Sequence, residues 1–211
     1  IKEQMSDIQV RTNEAVLVDS EMIVAIDQFE RLQENYPQLM AVAEQVDATG
    51  KIVLPGFVDC HTHLVHGGTR ENEFQMRLNG STYMDIMNAG GGIHATTKRT
   101  QEASFDELYD KAAFNLNRFL LHGVTTVEAK SGYGLNWETE EKQLLVTKKL
   151  QENHKVDVVS TFMGAHAVPK QYKGNEDTFV DIIIHDMLPK VAEQKLAEFN
   201  DVFCEHGVFT P

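Results

Sequence analysis

The stretch PGFVDCHTHLVHGG, residues 55–68, joins a short apolar run to a group of histidines. Within it, His61 and His63 are two positions apart, and on a regular strand that spacing places both imidazoles on the same face. Two neutral imidazoles on one face are suitable ligands for zinc or another divalent metal. The spacing alone leaves two interpretations open: part of a metal site, or an ordinary strand whose polar side chains face water.

Apolar strands and amphipathic helices alternate along the chain from residue 55 onward. Strands are predicted at residues 56–61, 125–129, 156–163 and 201–204, and helices at 104–122, 138–154 and 179–199. Ser104 and Glu107 form a capping-box pattern at the start of the first of these helices. The alternation predicts an α/β fold with a parallel sheet and crossover helices, either an open doubly wound sheet or a (β/α) barrel.

The predicted strands are apolar along nearly their whole length, which favours strands that are covered on both faces. Each strand ends in residues capable of chemistry, in the segments CHTH, EAKSGYG, GAHAVP and CEHG. In both sheet closures, functional residues collect at the carboxyl ends of the strands. This position favours the metal-site interpretation of His61 and His63.

The first 54 residues predict a separate, small β-rich unit. AVLVDSEMIVAI, residues 15–26, has two short apolar runs around Asp-Ser-Glu, which indicates a β-hairpin. The following residues, 29–45, have a helical pattern that Pro37 interrupts. The sequence therefore predicts two domains, residues 1–54 and 55–211.

Composition excludes several classes of partner. Lys and Arg number 19 against 32 Asp and Glu, a formal net charge of -13, which repels nucleic-acid phosphates and anionic lipid surfaces. Cys60 and Cys204 lie far apart and form no disulfide framework, and the first residues lack the apolar centre of a signal peptide. The sequence predicts a cytoplasmic protein that binds neither nucleic acid nor membranes.

At this point the residues resemble a known family. PGFVDCHTHLVHGGTRENEF, residues 55–74, resembles the metal-binding signature of the amidohydrolase superfamily. Five segments together are similar to the branch of that superfamily that hydrolyses 4-imidazolone-5-propanoate to N-formimidoyl-L-glutamate in histidine degradation. These segments are GGTRE, GSTYMDIMNAGGGIHATTKRT, VEAKSGYGL, STFMGAHAVP and FCEHGVFT.

The resemblance implies a fold and a cofactor. The expected fold is the first half of a (β/α)8 TIM-type barrel, preceded by part of a small composite β-sandwich domain to which residues 1–54 contribute. His61 and His63 match the first two ligands of one divalent metal ion, zinc or iron. The third histidine ligand, an aspartate ligand and a catalytic carboxylate are expected on later strands, beyond residue 211. The resemblance also implies a homodimer.

The resemblance further implies which residues bind a small anionic imidazolone substrate. Arg70 matches the arginine that meets the substrate carboxylate, and its guanidinium can make a bidentate pair with a propanoate. Tyr83 and Tyr133 match tyrosines that contact the substrate. His166 matches a histidine that contacts the substrate, with an added catalytic role in stabilising the oxyanion.

Three of these residues also have a purely structural interpretation. Arg70 could pair with Glu71 or Glu73 at the surface, Tyr83 could pack in a helix, and His166 could link two loops. A further set is expected to support the site or the fold without direct ligand contact: Cys60, Glu128, Lys130, Cys204, Glu205 and His206. The remaining histidines, His66 among them, have no context that indicates a role.

Two other functions stay open. A different amidohydrolase, such as an aminohydrolase that deaminates a heterocycle, would use the same two histidines but would not require an arginine aimed at a carboxylate. A metal-binding domain without catalytic activity would also require only His61 and His63.

Overall fold

A computed structural model describes residues 6–205 and 208–210, except for the side chains of Tyr83, Met87 and Asn88. The chain divides into two compact units, Ile1–Leu54 and Pro55–Pro211. In the part of the chain that is described, every helix is too short or too polar to cross a membrane.

The first unit contains the predicted hairpin and the helices after it. Strand β1 (Ala15–Asp19) pairs antiparallel with β2 (Met22–Asp27), and helices α1 (Phe29–Asn35) and α2 (Pro37–Met40) follow. Pro37 lies at the first position of α2, where its missing N–H is not needed for a helical hydrogen bond. The hairpin and the interruption at Pro37 are therefore confirmed.

The second unit is built on a four-stranded parallel sheet. Its strands are β3 (Phe57–Thr62), β4 (Val124–Lys130), β5 (Asp157–Ala165) and β6 (Phe199–Val202), and their order in the sheet is β3-β4-β5-β6. Each neighbouring pair is parallel. The predicted parallel sheet with crossover helices is confirmed, with the fourth strand two residues earlier than predicted.

Helices fill the connections between these strands. They are α3 (Glu71–Leu78), α4 (Tyr83–Asn88), α5 (Ile93–Glu102), α6 (Phe105–Leu121), α7 (Trp137–Asn153), α8 (Glu176–Ile182) and α9 (Leu188–Gln194). The capping box of α6 is confirmed, since Ser104 accepts from the backbone of Glu107 and the Glu107 carboxylate accepts from that of Ser104. A π-helical turn, Ile183–Met187, separates α8 from α9.

The apolar core lies between the helices and one face of the sheet. Val127 and Ala129 of β4 pack with α6 and α7, and Phe162 of β5 packs with α8 and α9. Because alternate residues of a strand point to opposite faces, Glu128 of β4 and Thr161 of β5 lie on the other face. This second face carries polar side chains that bond to each other, so the strands are less uniformly apolar than predicted from the sequence.

Leu116 tests the packing of α6. Its side chain is 0% exposed in this core, so Leu116→Ala in the full-length protein should lower the free energy of unfolding by about 2–5 kcal/mol. Leu121→Ala on the same helix removes the same atoms from a side chain that is 85% exposed. This control should change the free energy of unfolding by no more than about 0.5 kcal/mol. Urea unfolding measures both, and equal effects would contradict the described packing.

Candidate active site

The two histidines of the opening motif lie at the carboxyl end of β3. His61 is within the strand and exposed, while His63 directly follows the strand and is half-buried. Their ring centroids are 6.2 Å apart and the ring planes are nearly perpendicular, at 81°. The pair predicted from the spacing is therefore close in space.

A backbone carbonyl from the next strand holds His63. The Nδ1 atom of His63 is 2.8 Å from the carbonyl oxygen of Ser131, which follows β4. Since a carbonyl only accepts, Nδ1 carries the hydrogen and Nε2 keeps its lone pair. Burial, then the nearby His166, lowers the pKa of His63 to about 3, so the ring is neutral at ordinary pH. This is the form in which an imidazole binds a metal.

The described residues fit a metal ion in part. His61 and His63 offer two imidazoles at the end of one strand, and a carbonyl orients one of them as metal-binding histidines require. Among residues 6–205 and 208–210, no group of three or more His, Cys, Asp and Glu side chains is arranged to hold an ion. The two histidines therefore fit as part of a larger ligand set.

Tyr133 and His166 surround His63. The His166 ring stacks on that of His63, with centroids 4.4 Å apart and planes at 15°. The Tyr133 ring is 4.9 Å from His63 and 5.2 Å from His166. The structure thus brings together three of the predicted residues from the ends of β3, β4 and β5.

The orientation of His166 also depends on a backbone carbonyl. Its Nδ1 atom is 2.8 Å from the carbonyl oxygen of Gly132, so Nδ1 donates and Nε2 is an acceptor in the neutral ring. Burial lowers the pKa of His166, and Arg70 lowers it further, against the opposing effect of the Gly132 carbonyl. The neutral ring therefore accepts a hydrogen bond at its free nitrogen.

Arg70 lies at the start of α3 and reaches toward Tyr133. Its Nε donates to the Thr96 hydroxyl at 2.8 Å, and its guanidinium carbon is 5.8 Å from the centroid of the Tyr133 ring. The closest approach to Glu73 is 4.0 Å, and that carboxylate accepts a shorter bond, at 2.8 Å, from the Gly92 amide. Arg70 is thus oriented mainly by Thr96 rather than by a surface ion pair.

Two predicted residues lie outside what the structure describes. The backbone of Tyr83 begins α4, but its side chain is outside the described part of the chain. His206 is outside it altogether.

A cavity of about 440 Å³ adjoins Arg70 and Tyr133, and it includes two residues that the sequence did not single out. These are His66 and Lys111. The Lys111 ammonium donates to the backbone carbonyls of His66 and Gly68, and it is 3.1 Å from Nδ1 of His66. Sequence spacing held no signal for this contact, because Lys111 comes from α6, far along the chain from the loop it holds.

An ion-pair network lies on the polar face of the sheet. The Lys130 side chain is 6% exposed, and its ammonium is 2.6 Å from Glu128 and 2.9 Å from Asp201. Glu128 also accepts from the Thr161 hydroxyl at 2.7 Å. Burial by itself would lower the pKa of Lys130, but the bonds to the two carboxylates outweigh it and raise the pKa. The network links β4, β5 and β6, and Asp201 is a member that sequence reasoning missed.

The chain is similar to known proteins over its whole length. A family model described as "Amidohydrolase family" matches residues 44–130. Over all 211 residues, the chain is 60% identical to an imidazolonepropionase of Geobacillus sp. (strain WCH70) and 56% identical to one of Geobacillus kaustophilus (strain HTA426). The chain is a homologue of the imidazolonepropionases. The resemblance recognised in its five segments is confirmed.

The imidazolonepropionases that match are longer than this chain. The two Geobacillus proteins match 100% of the chain, which covers 50% of each of them. An imidazolonepropionase of Brevibacillus brevis is 55% identical over 208 residues, 99% of the chain and 49% of that relative. The chain thus spans about half the length of the curated relatives it matches.

Gly132 tests the link between the loop after β4 and His166. Its φ is +105°, and a Cβ there would lie 2.8 Å from Cβ of His166 and from the Met163 carbonyl oxygen. Gly132→Ala in the full-length protein should therefore displace the His166 ring, which imidazole NMR would detect. Gly174→Ala is the control, because Gly174 also has a positive φ, +84°, but open space around it. Similar His166 spectra in both variants would contradict the described contact.

His63 makes stability depend on pH. Its pKa falls from 6.5 to about 3 on folding, so between these values the unfolded chain binds a proton that the folded chain does not. The metal-free, full-length protein should lose stability as pH falls through this range, by at most about 1.4 kcal/mol per pH unit for this proton.

The variant His63→Asn isolates this contribution, because asparagine can still donate to the Ser131 carbonyl but does not titrate. Urea unfolding at several pH values gives the free energy of unfolding as a function of pH. Between about pH 4 and 6.5 this free energy should depend less steeply on pH in the variant than in the wild type. An unchanged dependence of stability on pH would show that His63 is not the half-buried, neutral group described.

Proposed function

We propose that the complete protein is a metal-dependent hydrolase that opens the cyclic amide of 4-imidazolone-5-propanoate to N-formimidoyl-L-glutamate, in histidine degradation. The carrying observation is the convergence of His63, Tyr133, His166 and Arg70 beside the ends of adjacent parallel strands. The imidazolonepropionase relatives support the same reaction. The remaining ligands and a catalytic carboxylate would come from outside these 211 residues.

We infer that residues 55–211 are the first four β/α units of a (β/α)8 barrel. The strands follow one another in sequence order, whereas a doubly wound sheet reverses its order and carries helices on both faces. The face opposite the helices carries the Lys130 network, which suits the interior of a barrel. Residues 1–54 would form part of a composite β-sandwich.

His61 and His63 would hold the metal, and zinc and iron are both compatible with two imidazole ligands. When bound, the metal would lower the pKa of a water molecule and so supply the attacking nucleophile. His63 keeps the lone pair of Nε2 available, because its Nδ1 donates to the Ser131 carbonyl and its pKa is strongly lowered. Release of the ring nitrogen requires a proton from a carboxylic acid, the group expected beyond residue 211.

Three side chains would bind and orient the substrate. Arg70 would pair with the propanoate, and the Tyr133 phenol can donate to or accept from the ring amide. In its neutral form His166 offers an acceptor at Nε2, so it would accept from a ring N–H of the substrate. Donation to the oxyanion, the other role expected for His166, would require a second proton on its ring. Tyr83 remains a proposed substrate contact.

The alternative functions differ in whether they require Arg70. A heterocycle deaminase would need the two histidines but no cation for a carboxylate, and a non-catalytic metal-binding domain would need neither Arg70 nor Tyr133. The position of the guanidinium beside Tyr133, held by Thr96, favours the hydrolase of an anionic ring. A cytoplasmic location and a homodimer remain predictions.

Substitution of Arg70 tests the proposed function. In the full-length enzyme, Arg70→Ala should reduce kcat/KM for 4-imidazolone-5-propanoate by roughly 10- to 100-fold, chiefly through KM, because a charge-assisted hydrogen bond contributes about 1.5–3 kcal/mol. Arg77→Ala is the matched control, since Arg77 is exposed in the last turn of the same helix, α3.

Steady-state kinetics of both variants, with metal content measured in each preparation, distinguish the alternatives. An unchanged kcat/KM for 4-imidazolone-5-propanoate in Arg70→Ala would count against recognition of the substrate carboxylate by Arg70 and would favour the deaminase. A wild-type protein that is both metal-free and inactive would remove the enzyme hypothesis.

A further inference from the structure

Glu140 is a buried carboxylate with no role in the proposed chemistry. It lies in the first turns of α7, and its residue is 0% exposed. One carboxylate oxygen accepts from the Gly132 amide at 3.0 Å, and the other accepts from the amides of Gly134 and Leu135 at 2.7 and 3.0 Å. The Ser131 hydroxyl also donates to it. All four donors belong to the loop of residues 131–135, the β4 loop.

This arrangement is specific to a carboxylate. Burial raises the pKa of Glu140, while the bonds from Ser131 and the three amides oppose that rise. A buried carboxyl group without such partners would be strongly unfavourable, so the loop amides and Glu140 depend on one another. Gly134 allows the close approach, because a Cβ there would lie 2.8 Å from a Glu140 carboxylate oxygen.

The opposite side of the β4 loop faces the histidines. The carbonyl of Ser131 accepts from His63 and the carbonyl of Gly132 accepts from His166, both at 2.8 Å. The Ser131 carbonyl and the Gly132 N–H belong to one planar peptide group. That single peptide therefore bonds to His63 on one side and to Glu140 on the other, and it cannot turn without breaking both bonds.

We propose that Glu140 is a positioning residue that orients His63, and with it the Tyr133–His166 cluster, by clamping the β4 loop. Glu140 acts through the Ser131–Gly132 peptide for His63 and through the rest of the loop for Tyr133 and His166. The part of this inference that concerns metal affinity rests on the proposed role of His63 as a ligand. The part that concerns the orientation of the imidazole rings is independent of that role.

Glu140→Gln in the full-length protein tests the clamp. Glutamine matches the size of glutamate, but its NH2 group would face backbone N–H donors and cannot accept from them. Two results are expected: metal affinity weakened by about tenfold or more, as when a partner that orients a metal-binding histidine is lost, and altered imidazole signals of His63 and His166 in the metal-free protein. Chelator competition measures the first, and ¹⁵N NMR of labelled histidine measures the second.

Val191→Ala serves as the control for general destabilisation. Val191 is buried on α9 in the core cluster around Phe179, and its truncation should lower the thermal midpoint. Because it does not touch the β4 loop's hydrogen bonds, it should leave metal affinity and both imidazole spectra as in the wild type. A merely structural Glu140 would behave in the same way.

The outcomes separate this inference from the proposed function. If the wild type binds metal and hydrolyses the imidazolone while Glu140→Gln keeps wild-type affinity and imidazole spectra, the clamp is wrong and the function stands. If the wild type neither binds metal nor hydrolyses the substrate, the function fails, and the imidazole spectra of the metal-free protein alone decide whether Glu140 orients the rings.

Discussion

The peptide group between Ser131 and Gly132 is the constraint on which the candidate site depends. Its carbonyl accepts from His63 and its N–H donates to the buried Glu140. One planar peptide group therefore connects α7, which carries Glu140, to the imidazole that follows β3. The next carbonyl along the chain holds His166. Both rings are thereby kept in the tautomer that leaves Nε2 free, and Tyr133 lies against them.

The two faces of the sheet have different compositions, one apolar and packed against helices and the other polar. On the helix face, apolar residues such as Val127 and Phe162 are removed from water, which supplies the main favourable free energy of folding. On the opposite face, Lys130 bridges Glu128 and Asp201. Lys130 is buried, whereas the side chains of Glu128 and Asp201 are 23% and 41% exposed. Loss of either carboxylate would leave the buried ammonium less well compensated, which favours the strand alignment that keeps both contacts.

The sequence predicted the parallel sheet, the hairpin of residues 15–26 and the ends of the strands as the location of the site, since these depend on local periodicity and on where polar segments follow apolar ones. It singled out His61 and His63 through their spacing and strand position. The roles of Arg70, Tyr133 and His166 came from resemblance to a family.

What the sequence by itself determined is the set of local features: strands, helices, the Ser104 cap and the run of chemically capable residues after each strand. Only the tertiary structure decided which of these residues meet. Glu140 reads as one more polar residue on an amphipathic helix, Asp201 as an ordinary strand residue, and Lys111 as a solvated lysine. Their contacts join segments from different strands and helices, and such contacts depend on how the chain folds back on itself, which periodicity along the chain does not encode.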